Sequence, residues 1–161
     1  MPSVFQPEFQ PRENTPAPFT ARSASIGRQA GAQELGASLF ELRTGEAISP
    51  LHFHHGNEEL VVVLAGRPTL RTLHDSRQLE PGEVLACPAG PEGAHRLDNL
   101  DHEPARVLIV STMRGPDVIE YPDSEKVMAR SQAPGTRPPD PDALRIVVRR
   151  EAAVDYFEGE A

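Results

Sequence analysis

The 161-residue chain has no tryptophan, and tyrosine and phenylalanine together supply only eight aromatic rings. Its core must therefore be built mainly from aliphatic side chains. A single cysteine, Cys87, excludes an internal disulfide. Basic residues are outnumbered 24 to 16, giving a formal charge of −8, so the electrostatic footprint of a nucleic-acid or anionic-membrane binder is missing. No apolar run approaches the length that spans a bilayer; residues 60–65 form the longest and read as a strand. The N-terminus lacks the basic-then-apolar pattern of a secretion signal. These absences predict a soluble cytoplasmic protein with one domain and a single core.

Proline and glycine are plentiful and mark the chain's divisions. Pro2, Pro7, Pro11, Pro16 and Pro18 forbid a helix near the start and predict an extended arm over residues 1–22. Residues 23–26 suit an edge strand. Alternation and β-branched content then predict strands at 36–42, 52–55, 59–64, 69–73, 77–79, 84–87, 95–97 and 105–112. Short strands between Gly/Pro turns indicate an all-β sandwich or barrel over 23–115. Residues 116–161 read as a C-terminal extension that packs on the barrel or on a partner protomer. From the end of the barrel onward, 114–131 suits a short helix or an irregular excursion, 133–142 a Pro-rich linker, and 144–149 one more strand.

The chemistry-bearing residues cluster in two blocks. His52 and His54 flank Phe53, so in a strand both imidazoles project to one side, about 7 Å apart along the strand. Glu59 follows a short turn, and His95 comes from a later segment. Three histidines and a carboxylate suit one divalent transition metal: Mn, Fe, Co, Ni, Cu or Zn. His55 points to the other face. Glu58 competes with Glu59 for the carboxylate role, and the six-residue step to Gly66 favours Glu59. His74 and His102 lie in polar turns, and Cys87 reads as a small core hydrophobe. Arg71 either clamps a substrate carboxylate from inside the barrel or faces solvent. Asn99 either orients a ligand or bonds a turn.

Both blocks resemble the two sequence motifs of the cupins. The first runs Gly45, six residues where the family pattern has five, His52-Phe53-His54, four residues, Glu59, six residues and Gly66. The second runs Gly82, five residues, Pro88-Ala89-Gly90, then His95, three residues and Asn99. Four residues, 91–94, separate Gly90 from His95 where the pattern has two. Segments 121–124 and 155–160 also look like the tails of uncharacterised bacterial single-domain cupins. The resemblance implies a double-stranded β-helix, or jelly-roll, barrel with a metal held by His52, His54, Glu59 and His95. It further implies a small-molecule ligand and a two-fold homodimer paired through terminal strands. By analogy the protein is a metal-dependent enzyme on a small oxygenated molecule, of dioxygenase, isomerase or lyase type. The alternative is a non-catalytic metal-dependent module that binds or senses such a molecule. A transcriptional regulator is disfavoured, because residues 1–34 are too short and Pro-rich for a helix-turn-helix domain.

Overall fold

The computed structural model describes residues 1–12, 14–133 and 140–160. Among these described residues, twelve antiparallel strands build an all-β jelly-roll barrel. In chain order they are β1 (Arg22–Ala24), β2 (Gly36–Leu42), β3 (Phe53–His54), β4 (Glu59–Ala65), β5 (Thr69–Arg71), β6 (Ser76–Gln78), β7 (Val84–Cys87), β8 (Arg96–Asp98), β9 (Ala105–Ser111), β10 (Asp117–Tyr121), β11 (Lys126–Arg130) and β12 (Arg145–Arg149). One five-stranded sheet has the order β1-β2-β9-β4-β7; two smaller sheets run β12-β11-β10-β3 and β6-β5-β8. Isolated bridges tie Ala47 to Asp98 and His52 to His95.

Period-two patterning explains which side chains fill the interior. On β4, Val61 and Val63 are buried while Leu60 is 40% exposed; on β9, Ala105, Val107 and Ile109 turn inward. Together with Leu42, Leu70, Leu79 and Leu97 they form the aliphatic core, each large side chain contributing roughly 1.5–3 kcal/mol by leaving water. The same alternation puts Glu59 on the inward face of β4, and its neighbour Glu58 is exposed outside it.

Gly66 ends β4 at φ +70°, where a Cβ would lie 2.5 Å from the Pro104 carbonyl oxygen. Only glycine lets the chain turn this tightly against β9. Gly93 has the same function for the second block: its Cβ would sit 1.8 Å from the Pro88 carbonyl oxygen. Residues Pro91–Gly93 wind into a 3-10 turn. That turn absorbs the longer spacing before His95.

Several expectations need correction. The segment expected to hold a helix or irregular excursion, 114–131, instead forms the β10–β11 hairpin, which pairs with β3 through Ile119–His54 and Glu120–Phe53. The edge strand expected at 23–26 stops at Ala24, and a short helix, α1 (Ile26–Ala30), follows and is closed by Gly31 at φ +89°. Strand β3 is two residues rather than four, with His52 held by its bridge to His95. The last strand pairs with β11 of its own chain. Of the Pro-rich linker expected at 133–142, residues 134–139 lie outside the described residues. The N-terminal arm lies along its own barrel: Gln10 exchanges backbone hydrogen bonds with Ser23, and the Ala47 amide donates to the Pro18 carbonyl. Among the described residues no helix is long and apolar enough to cross a membrane.

Candidate metal centre

Two backbone pairings bring the four expected ligands together. His52 and His95, 43 positions apart in the chain, are direct cross-strand partners, each amide donating to the other's carbonyl at 3.2 and 3.0 Å. Glu59 stands in a cross-sheet row with Cys87 on one side and Ser111 on the other, and Gly36 follows Ser111. Donor atoms from His52, His54 and Glu59 all lie within 4.8 Å of one another. His95 adds its Nε2 at 3.2 Å from Glu59 Oε2, and His54 Nε2 is 3.7 Å from the same oxygen. Ligands that share one ion at about 2.1 Å must themselves lie within about 4.2 Å, and both pairs meet that condition.

Each imidazole is oriented through its far nitrogen. His52 Nδ1–H donates to the Pro50 carbonyl at 2.9 Å, and His95 Nδ1–H donates to the Gly93 carbonyl at 2.9 Å. His54 Nδ1–H donates to Asp117 Oδ2 at 2.7 Å. An imidazole that spends its proton on Nδ1 keeps a lone pair on Nε2, so three Nε2 donors face the centre beside one carboxylate. This donor set fits a divalent transition metal.

Burial and mutual charge tune the group. Desolvation, reinforced by the positive charge at His95, pushes His52 down to about 4, which keeps it neutral. At His95 burial also disfavours the charge, but hydrogen bonds to Cys87 and Glu59 outweigh it and lift the imidazole to about 10. Burial would raise the Glu59 carboxyl, yet the surrounding histidines hold it below the usual carboxylate range. A cation held here by His95 would have to compete with that proton.

The other sequence candidates lie elsewhere. Arg71 is half-exposed, and its guanidinium forms a bidentate pair with Asp123 at 2.6 and 2.8 Å. Asn99 is fully buried and closes a turn: Nδ2 donates to the carbonyls of Leu42 and Glu103, and Oδ1 accepts from the Asp101 amide. Neither residue lines the cavity above the histidines. His55 pairs with Glu120 at 2.8 Å, while His74 and His102 are exposed. Cys87 is buried in the core, directly opposite Glu59 on the neighbouring strand.

Sequence reasoning missed Asp117. Its side chain is fully buried, and it accepts from His54, from the Gly56 amide at 3.0 Å and from Arg130 at 2.9 Å. Burial would raise its carboxyl, but these donors pull it below the usual range. Asp117 lies 63 positions from His54, and only the β3–β10 pairing joins them, so no local spacing signals the contact.

The cluster opens into a cavity of about 730 Å³, lined also by Arg12 of the N-terminal arm, Arg28 of α1, Phe40, Met113 and Arg130. This volume suits a small molecule.

The jelly-roll barrel and its His/Glu cluster define the class. Residues 38–111, the stretch that holds His52, His54, Glu59 and His95, match the family model of the cupin domain. A sugar phosphate isomerase of the cupin superfamily from Silicibacter pomeroyi superposes with a TM-score of 0.78 at 22% identity, covering 95% of this chain and 94% of that one. A proposed sugar phosphate isomerase from Acidithiobacillus ferrooxidans gives 0.79 at 22% identity, covering 94% and 91%. A predicted oxalate decarboxylase from Thermotoga maritima gives 0.59 at 16% identity, covering 70% and 97%. At these identities the likeness is one of fold. No curated protein matches the chain significantly.

Proposed function

We propose that this protein is a cupin, a metal-dependent enzyme acting on a small oxygenated molecule, with His52, His54, Glu59 and His95 as ligands to one divalent transition metal. The observation that carries the reading is the convergence of three Nδ1-anchored imidazoles and one carboxylate on the floor of a cavity. A cation held there supplies Lewis-acid polarisation of substrate oxygens, or dioxygen activation if it is iron(II). The protein's own contribution is positional: backbone carbonyls and Asp117 fix the rings.

Among the described lining residues Glu59 is the only carboxylate. That composition suits a mechanism carried by metal polarisation of the substrate. It equally suits the second reading, a non-catalytic metal-dependent binding or sensing module. The names of the two relatives that align along nearly the whole chain, both sugar phosphate isomerases, favour the enzymatic reading. A cytoplasmic, two-fold homodimer with a small-molecule ligand completes the proposal.

Elemental analysis of protein purified without a chelating tag tests the ligand set. One metal per chain is expected in the wild type, and less than a tenth of that, roughly, in His54→Ala and His95→Ala. Full occupancy in both variants would overturn the assignment. Assay of the loaded protein against sugar phosphates and small hydroxy and keto acids, with oxygen uptake followed in parallel, then separates isomerase, lyase and dioxygenase activity from binding alone.

A further inference from the structure

The molecule carries a net charge of −8, yet the cavity above the histidines has the opposite character. Its described titratable lining is Arg12, Arg28 and Arg130 with the three histidines, against Glu59 alone. Arg130 is committed to Asp117. Arg12 and Arg28 are not so committed. Arg12 is half-buried and donates one guanidinium N–H to the Ile48 carbonyl; among the described residues neither arginine has an acidic partner. Desolvation lowers the Arg12 pKa, which marks a cation kept partly out of water.

For Arg12, which is partly out of water, such an arrangement is costly unless an anion completes it. Other arginines of the chain are paired with carboxylates: Arg67, Arg71, Arg77 and Arg106 with Glu80, Asp123, Glu83 and Glu41. Arg12 and Arg28 instead come from two segments outside the barrel sheets, the Pro-rich arm and α1, and both reach the cavity that the histidines open into. Guanidinium groups recognise oxyanions through paired, charge-assisted hydrogen bonds.

We propose that Arg12 and Arg28 form an anion subsite that holds an oxyanion group of the substrate, while the other end of the molecule meets the His/Glu cluster. The inference rests on the proposed metal-dependent reading for what happens at that other end, but the anion subsite itself is independent of metal. It gives the N-terminal arm a binding function in addition to covering the sheet edge.

The test is inorganic phosphate binding to chelator-treated full-length protein, followed by calorimetry and by phosphorus NMR line broadening. Wild-type protein is expected to bind, and the double variant R12Q/R28Q to bind about tenfold more weakly or worse, with its metal content on reloading unchanged. Equal affinity in the two proteins, or no binding by the wild type, overturns the proposal. If loss of Arg12 unseats the arm, as a thermal melt would reveal, Arg28→Gln alone carries the test: its side chain is exposed, and unchanged phosphate affinity in that variant also overturns the pairing. Elemental analysis of the same samples reads the metal assignment separately, so protein that binds phosphate but retains no metal defeats only the reading of the His/Glu cluster.

Discussion

Asp117 touches the histidine cluster through His54, and it sets which nitrogen of that ring carries the proton. A carboxylate accepting from Nδ1–H fixes the tautomer and raises the donor strength of Nε2. Asp117→Asn keeps the shape but weakens that control, and metal affinity is expected to fall about 10–100-fold. Titration of the stripped protein with metal measures it, and the melting curve shows whether the loss of the Arg130 ion pair also destabilises the fold. The contrasting change is Arg71→Ala. Its pair with Asp123 is about 40% exposed on both sides, so about 0–1 kcal/mol of stability is expected to be lost, with metal affinity untouched. A large effect on metal binding from Arg71→Ala, or none from Asp117→Asn, would reverse the roles assigned to these residues. Glu59, chosen over Glu58 by the step to Gly66, is a residue whose position was legible in the sequence. Asp117 was not, because its contact depends on a strand pairing rather than on any spacing.

At the scale of elements, the arm and β1 are fastened to the five-stranded sheet by one charged cluster. Glu41 on β2 accepts from Arg22 of β1 and from Arg106 of β9, and both guanidinium groups lie over the Phe9 ring of the arm. Partial burial would raise the Glu41 carboxyl, but the hydrogen bonds from Arg106 and Arg22 outweigh it, and its pKa falls below the ordinary 4.5. A carboxyl depressed in the folded state stabilises the fold above its unfolded pKa, and that contribution disappears as pH falls through the folded value. Melting temperatures of wild type and Glu41→Gln are therefore expected to differ most above about pH 4.5 and to converge in more acid solution. Parallel curves across that range would exclude Glu41 as the titrating fastener. Most barrel strands were legible because alternation and Gly/Pro turns repeat along residues 36–112. Helix α1 is five residues long and too short to show a period. The β10–β11 hairpin was concealed by its polar, Pro-flanked sequence and by the absence of a clean alternation.

For the whole molecule, among the described residues β12 is an edge strand of its sheet with exposed apolar side chains. Ile146, Val147 and Val148 are 46, 43 and 44% exposed, and Tyr156 and Phe157 beyond them are also exposed. A flat apolar edge of this kind invites pairing with another copy, and the proposed homodimer would cover it. Light scattering on the full chain is expected to give a dimer mass at micromolar concentration, and Val147→Lys to shift it toward monomer. A monomeric wild type would end the dimer proposal. The sequence pointed to extensions at both ends but could not assign their partners, since β1 and β12 find their neighbours within the same chain only through tertiary pairing.

The mutual hydrogen bonds between His52 and His95 have a consequence for how the chain can be rearranged. The 42 residues between them include β4 to β7, but the geometry of this pair is set by two backbone contacts and not by the length of what intervenes. The exposed turn at His74 and Asp75 is therefore a place where the polypeptide can be opened, lengthened or fused to a reporter without altering the bite of the chelate. New termini placed there would divide the ligands between two fragments, with His52, His54 and Glu59 on one and His95 on the other, so that metal retention would report directly on fragment reassembly.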